Sequence, residues 1–295
     1  MTNTSKTILF FGTDTFSAPA LQALINAHYT IAAVVTKPDS KQGRGQQLTP
    51  PLVKQVAEKN GIPVWQPARL SDITEKVFEL GPVTGVLSSY GKIIPQAIID
   101  LFEPGIINIH PSLLPKYRGP SPIESAIANG DKKTGVSIMR LNAAMDAGPL
   151  YAQATYELTG TETQPELYDT LARFGSELLI KHLPKIIDGS LQPFEQSGTA
   201  TYSHLIKKED SSIDVSKLSA KKIEQKIRAH LLFPKTKLEL FNQTVIITKA
   251  HVSSEKTSDL DQLCKDGQFL VIDILIGPSG RQMSGKDFLN GYAAG

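Results

Sequence analysis

Short apolar runs rich in β-branched residues alternate with helical patterns through the first two-thirds of the chain. Five runs predict strands, at residues 7–12, 30–36, 83–89, 106–110 and 135–141. The segments between several of them predict helices at residues 18–27, 50–60, 73–80 and 95–102. Strands separated by helices form βαβ units, and the near-continuous apolarity of the first strands fits burial on both faces. We therefore expect an α/β fold with a doubly wound, mainly parallel sheet.

The pattern changes after residue 160. Residues 164–187 carry leucines and a phenylalanine at helical spacing and predict a long amphipathic helix. The following stretch is rich in Gly, Pro, Ser and Thr without periodicity, which is typical of a linker. Beyond it, a predicted helix at residues 220–230 precedes strand-like runs. We predict a first domain over residues 1–189, a linker over 190–204 and a small, mostly β domain of the barrel type over 205–295.

Composition describes a soluble globular protein, because 40% of the 295 residues are hydrophobic and 20% are charged. A single cysteine, Cys264, excludes an internal disulfide framework and a cysteine-based zinc cluster. No run approaches the roughly 18 apolar residues that a membrane helix needs. The first apolar run is too short for a signal peptide. We expect a cytoplasmic protein without a membrane span.

Positive charge is concentrated in residues 201–251. This segment contains ten Lys or Arg residues against five acidic residues, an excess of five positive charges, whereas the whole chain carries +2. Such a segment can neutralise the phosphates of a nucleic acid, or it can form an ordinary solvated helix face. Charge alone leaves both interpretations open.

Two polar side chains stand at the end of the predicted strand at residues 106–110. Asn108 and His110 are two positions apart, so both project to one side of the strand. In open α/β sheets, ligands bind beyond the carboxyl ends of the strands. An amide can donate to a developing oxyanion, and an imidazole can exchange a proton near neutral pH. Asn108 and His110 are therefore candidate catalytic residues, although each is also a common structural residue at such a position.

A carboxylate follows the predicted strand at residues 135–141. Asp146 lies in a loop where Gly148 permits close backbone approach, and it could orient an imidazole or relay a proton through water. Asp146 is equally a common turn residue. The first strand-to-helix turn has one glycine where a dinucleotide fingerprint needs GxGxxG, and no P-loop occurs. The six histidines lack metal-ligand spacing, so no metal site is predicted.

Six stretches carry a resemblance to a known family. They are FFGTDTFSAPALQAL, residues 34–67, SSYGKIIP, INIHPSLLPKYRGPSPI, TGVSIMRLNAAMDAGPL and RQMSGKDFLNGY. Through them the chain resembles the methionyl-tRNA formyltransferase family over nearly its whole length. The block Asn-x-His with Ser-Leu-Leu-Pro, followed by Asp-x-Gly, is shared by several enzymes that use 10-formyltetrahydrofolate. The resemblance implies a Rossmann-like formyltransferase catalytic domain, followed by a tRNA-binding barrel domain of the oligonucleotide-binding type.

The resemblance also implies the reaction, namely transfer of the formyl group of 10-formyltetrahydrofolate to the α-amino group of methionine on initiator methionyl-tRNA. Asn108 would stabilise the oxyanion, His110 would move a proton, and Asp146 would hold His110 or an ordered water. No metal is implied, and we expect a monomer. The residues expected to contact the folate are Ser88, Ser89, Tyr90, Gly91, Ile94, Pro95, Ser112, Leu113, Leu114, Pro115 and Asp146. The residues expected to contact tRNA are Lys41, Arg44, Lys207, Lys208, Lys222, Lys226, Arg228, Lys235 and Lys237.

Three related enzymes and one binding protein are alternatives. Glycinamide ribonucleotide formyltransferase has the same catalytic residues, but it needs a glycine-rich phosphate cradle that FGTDTFSA does not supply. A formyltetrahydrofolate hydrolase or a sugar-nucleotide formyltransferase would not call for the basic C-terminal segment. A folate-independent RNA-binding scaffold would have no reason to keep Asn108, His110 and Asp146 together.

Overall fold

The computed structural model describes residues 7–42 and 45–292. The chain forms two compact units that interleave along the sequence. The first contains residues 1–120, 134–156 and 168–202, and the second contains residues 121–133, 157–167 and 203–295. The limits at residues 189 and 205 expected from sequence stay predictions. Within the described ranges, no helix combines the length and the apolarity needed to cross a membrane.

In the described part of the chain, nine strands precede the long helix. They are β1 (Thr7–Gly12), β2 (Thr30–Val35), β3 (Ser40–Gln42), β4 (Gln47–Thr49), β5 (Val64–Trp65), β6 (Thr84–Ser88), β7 (Ile106–His110), β8 (Lys133–Arg140) and β9 (Leu150–Glu157). Seven of them form one sheet in the order β5-β2-β1-β6-β7-β8-β9, while β3 and β4 pair separately as an antiparallel hairpin. The pairs from β5 through to β7 are parallel, and β7 pairs antiparallel with β8.

Strand order reverses between β1 and β6, because the chain builds outward from β1 to β5 and then returns to β6 on the other side. The carboxyl ends of the strands beside such a reversal border the crevice in which α/β proteins bind ligands. β7 is the next strand after β6. The candidate residues of β7 therefore lie close to the switch point of the sheet.

The helices are α1 (Ser17–Asn26), α2 (Leu52–Lys59), α3 (Thr74–Glu79), α4 (Gln96–Ile99), α5 (Pro122–Asn129), α6 (Gln164–Ile187), α7 (Ala220–Ala229) and α8 (Gly285–Tyr292), with 3₁₀ turns at Leu70–Ile73 and Lys208–Ser211. In the first unit, residues such as Leu9, Phe11 and Val35 pack with Ile98 and Ile106 in a buried apolar cluster. β1 and β7 have almost no exposed residue, as expected for strands covered on both faces.

The second unit contains a curled antiparallel sheet. Its strands are β10 (Thr236–Leu240), β11 (Gln243–Ser253), β12 (Gln262–Leu263), β13 (Phe269–Ile276) and β14 (Gln282–Ser284). They pair in the order β10-β11-β13-β12, and β14 pairs with β13. Ile223 and Ile227 of α7 and Phe288 of α8 pack with the buried strand residues. The predicted fold class, a Rossmann-like α/β domain followed by a small β domain, is confirmed.

The structure adds elements that the pattern did not predict. These are the hairpin of β3 and β4, the two-residue strand β5, the strand β9 and the helix α5. Of the helix predicted at residues 95–102, only Gln96–Ile99 is helical, and the segment predicted at 73–80 begins as a 3₁₀ turn.

Candidate active site

Asn108 and His110 both lie on β7, where every residue is buried. Asn108 faces Met139 and His110 faces Ser137 in the register with β8. Each of the two residues is only 4% exposed. Among the described residues, none forms a hydrogen bond with the Asn108 side chain. The Asn108 amide keeps some contact with solvent, so it is available to a group of a bound ligand.

Two groups flank the ring of His110. Its Nε2 lies 3.0 Å from the backbone oxygen of Tyr117, and its Nδ1 lies 3.7 Å from Oδ2 of Asp146. Because a carbonyl oxygen can only accept, Nε2 carries the hydrogen of this bond. In the neutral imidazole, Nδ1 is then the nitrogen with the free lone pair. The basic atom of His110 therefore faces Asp146.

Asp146 lies in a loop with a left-handed backbone, at φ 46°. Its Oδ2 accepts a hydrogen bond of 2.8 Å from the backbone N–H of Gly119. The loop is held by Gln196, whose Nε2 donates to the backbone oxygens of Asp146 and Gly148, each at 2.8 Å. A β-carbon at Gly148 would overlap the backbone oxygen of Arg140, which explains the glycine. The carboxylate is thus held beside His110 by backbone contacts on both sides.

A second loop carries the carbonyl that binds His110. Tyr117 has φ 58°, and its N–H donates to Oγ1 of Thr201 at 2.9 Å. The Arg118 N–H donates to the Thr201 oxygen, and the Arg118 guanidinium binds Oε1 of Gln196 at 2.7 and 3.1 Å. Arg118, Gln196 and Thr201 therefore support the site, although sequence reasoning did not select them. The segment that contains Gln196 and Thr201 was expected to be only a linker.

The segment expected to bind folate follows β6 and is tied to the turn between β1 and α1. Oγ of Ser89 donates to Asp14 at 2.6 Å, and the backbone oxygen of Tyr90 accepts from Oγ1 of Thr13 at 2.9 Å. Ser89 and Gly91 have φ of 46° and 69°. The ring of Tyr90 is buried, with an unpartnered hydroxyl whose pKa is raised to about 12 by burial. Any contact from Tyr90 to a ligand must therefore come from its backbone.

Other residues expected to bind folate differ in accessibility. Ser88 and Ile94 are buried, Pro95 is exposed, and Leu113 and Pro115 are half-buried. The loop after β7 is fixed by Ser137, whose Oγ donates to the oxygen of Ser112 at 2.6 Å and accepts from the N–H of Leu114 at 3.1 Å. The loop after β7 and the end of this strand thus form one side of the candidate site, next to His110.

The residues expected to bind tRNA differ in whether their side chains are exposed or already have partners within the protein. Lys222 donates to the Ala128 oxygen at 2.6 Å, and Arg228 pairs with Glu224, so both side chains already have structural partners. Burial lowers the pKa of Lys226, with Lys222 adding to the effect and Asp210 opposing it. Lys41, Lys207, Lys208 and Lys237 are exposed, and Lys235 is half-buried. Arg44 lies outside the described residues.

Comparison with known proteins covers both units. Residues 6–183 match the family described as formyl transferase, and residues 205–293 match the formyl transferase C-terminal domain. The chain belongs to the formyl transferase family. A methionyl-tRNA formyltransferase of Chloroflexus aurantiacus is 39% identical over 302 residues, covering 97% of both chains. One of Pediococcus pentosaceus is 38% identical, covering 97% of this chain and 94% of its own.

A solved structure with a related fold is HypX of Aquifex aeolicus in complex with tetrahydrofolic acid. Its TM-score is 0.68 at 16% identity, covering 98% of this chain and 47% of HypX. The resemblance found in the sequence and the assignment as a formyltransferase are confirmed. Asn108, His110 and Asp146 all lie within the matched family region, and their catalytic roles stay a prediction.

Proposed function

We propose that the protein transfers the formyl group of 10-formyltetrahydrofolate to the α-amino group of methionine on initiator methionyl-tRNA. The observation that carries this proposal is the arrangement on β7, where an unbonded amide and an imidazole with a free Nδ1 lie side by side beside a carboxylate. Full-length relatives that carry the name methionyl-tRNA formyltransferase support the choice of acceptor.

Asn108 supplies the oxyanion donor. When the amine attacks the formyl carbon, negative charge develops on the formyl oxygen, and the Asn108 amide donates a hydrogen bond to it. The strand holds this amide in a buried position, so it needs no reorganisation during the reaction. Its lack of any protein partner among the described residues keeps the N–H groups available.

His110 moves the proton. Because Nε2 donates to the Tyr117 oxygen, Nδ1 takes a proton from the attacking amine and delivers it to the leaving folate nitrogen, directly or through water. Asp146 lies 3.7 Å from Nδ1, which is longer than a hydrogen bond but short enough for electrostatic stabilisation of the protonated ring. Asp146 thereby holds the ring, or an ordered water, in position for both transfers.

The folate fits the surface around the ends of β6 and β7. The fixed segment from Ser88 to Pro95 and the loop from Ser112 to Pro115 would hold it through backbone groups, as the buried Tyr90 ring indicates. The unpartnered Asn108 amide between them is the polar group that a bound cosubstrate would satisfy. No step in this scheme requires a metal.

The acceptor tRNA would contact exposed cations. Lys41 on the β3–β4 hairpin and Lys207, Lys208 and Lys237 of the second unit are the strongest candidates, because their side chains are accessible for phosphate contacts. Lys222 and Arg228 contribute mainly to the structure of the second unit. We expect the protein to act as a monomer in the cytoplasm.

The test is a single-turnover assay with 10-formyltetrahydrofolate and charged initiator methionyl-tRNA. Wild-type protein and a His28→Asn control, which changes an exposed histidine after α1, should both make formylmethionyl-tRNA, whereas His110→Ala should not. Release of formate instead would show that the chemistry is right and the acceptor wrong. If wild-type protein leaves the folate unconsumed, the proposed function fails.

A further inference from the structure

Lys37 has an ammonium group with no hydrogen-bond or ion-pair partner in the described part of the chain. The residue follows β2, and its side chain is half-buried. Among the described residues, none forms a hydrogen bond or an ion pair with the Lys37 ammonium. The ammonium keeps some contact with solvent, so a ligand can reach it. A carboxylate bound there would form a charge-assisted hydrogen bond with it.

The carboxylates expected to compete for Lys37 already have other partners. Asp39, two residues away, pairs with Lys54 at 2.9 Å and accepts a hydrogen bond from Gln66, and these contacts lower the pKa of its carboxyl. Asp14, after β1, accepts from Ser89 and from Tyr168. Lys37 therefore has no carboxylate partner among the described residues, although Asp39 follows the same strand, β2, and Asp14 follows the neighbouring strand, β1.

The Lys37 ammonium lies directly over Gly91. A β-carbon built on Gly91 would overlap Nζ of Lys37, so the ammonium rests against the segment that follows β6. The root of the side chain is fixed, because the backbone oxygen of Lys37 accepts a 2.7 Å hydrogen bond from Gln66. Two residues beyond Gly91, Ile93 is 84% exposed. The ammonium thus adjoins a segment that also presents an exposed apolar side chain.

We propose that Lys37 binds a carboxylate of the glutamate tail of the folate cosubstrate. This inference rests on the proposed function. The reacting nitrogen of the cosubstrate lies between its pterin and its aminobenzoyl ring, so the glutamate must lie at least one ring length from His110. β2 is three strand positions from β7, or about 14 Å at the usual strand spacing. Only the glutamate tail of the cosubstrate is anionic, and the aminobenzoyl ring suits the apolar surface of Ile93.

The test compares two ligands by calorimetry on the full-length protein. One is 5-formyltetrahydrofolate, and the other is 5-formyltetrahydropteroate, which lacks the glutamate. Lys37→Met removes the charge and keeps most of the stem, and Lys37→Arg restores a cation. Lys59→Met is the matched control, because it removes the same charge from the exposed end of α2.

We expect Lys37→Met to weaken binding of the glutamate-bearing ligand about tenfold. Binding of the shorter ligand should stay unchanged, Lys37→Arg should recover most of the loss, and Lys59→Met should behave as wild type. In steady state, Lys37→Met should raise the KM for the folate and leave kcat alone.

Equal weakening for both ligands, or no weakening for either, would overturn the assignment. So would an effect confined to the KM for methionyl-tRNA, because that result would place a phosphate rather than a carboxylate at Lys37. If the wild-type protein binds neither ligand, the folate cosubstrate itself is rejected, and the inference about Lys37 is rejected with it.

Discussion

Gln196 connects the two loops that hold His110 and Asp146, and replacing it should slow the reaction without unfolding the protein. Gln196→Leu keeps the side-chain size but removes two hydrogen bonds to the backbone oxygens of Asp146 and Gly148. At about 1 kcal/mol each, these bonds hold the Asp146 loop by about 2 kcal/mol. If the whole of this 2 kcal/mol is lost from stabilisation of the transition state, kcat falls by about 30-fold.

The substitution also removes the acceptor for the Arg118 guanidinium, which loosens the loop that carries the Tyr117 carbonyl. Both loops contact His110, so a shift of either one misaligns the proton transfer. We expect kcat to fall between about 10- and 100-fold, with little change in the KM for methionyl-tRNA. Gln192→Leu is the control, since Gln192 lies in the same segment and donates only to the oxygen of Gly189.

A double-mutant cycle decides whether Gln196 acts through Asp146. Asp146→Asn already removes the carboxylate, so adding Gln196→Leu to it should cost much less than Gln196→Leu costs alone. Single-turnover rates for the four proteins measure this coupling. Full additivity, or an unchanged kcat for Gln196→Leu, would refute the proposed positioning role.

Three further predictions concern other groups. Asn108→Ala should lower kcat about 100- to 1000-fold in the single-turnover assay, with an almost unchanged melting temperature because no protein hydrogen bond is lost. Burial lowers the pKa of His230 to about 4, so its unfolded form binds protons more readily. Denaturant unfolding should therefore show stability falling by up to about 3 kcal/mol as pH drops from 6.5 to 4, and His230→Phe should flatten this slope. Lys208→Glu or Lys237→Glu should raise the KM for tRNA and reduce its salt dependence, whereas Lys222→Met should mainly lower the melting temperature.

Apolar patterning predicted the central strands well, because burial on both faces leaves a continuous hydrophobic run. The runs at residues 7–12 and 106–110 coincide with β1 and β7. The strand β9 was missed because its second half alternates between buried and exposed positions after a Gly-Pro turn. The helix α5 was hidden in a proline-rich stretch, although Pro122 at its first turn is a favoured position.

The sequence identifies the candidate residues whose polar side chains lie at the end of a predicted strand. Period-two spacing placed Asn108 and His110 on one face, and the structure brings Asp146 to the same histidine. The supporting contacts could not be predicted, because they join residues far apart in sequence. Gln196 is 78 residues from Arg118 and 50 from Asp146, and no local periodicity encodes such pairs.

The contacts of the His110 ring decide which of its two nitrogens carries the proton. The Tyr117 carbonyl, at 3.0 Å, fixes the Nε2–H tautomer in the neutral ring. Asp146 is too distant, at 3.7 Å, to hold the ring by a direct hydrogen bond, which leaves Nδ1 free to exchange a proton with substrate or water. A carboxylate bonded directly to Nδ1 would compete with that exchange. Both residues that flank the ring, Tyr117 and Asp146, have left-handed backbones, a conformation that is concentrated at functional sites in proteins.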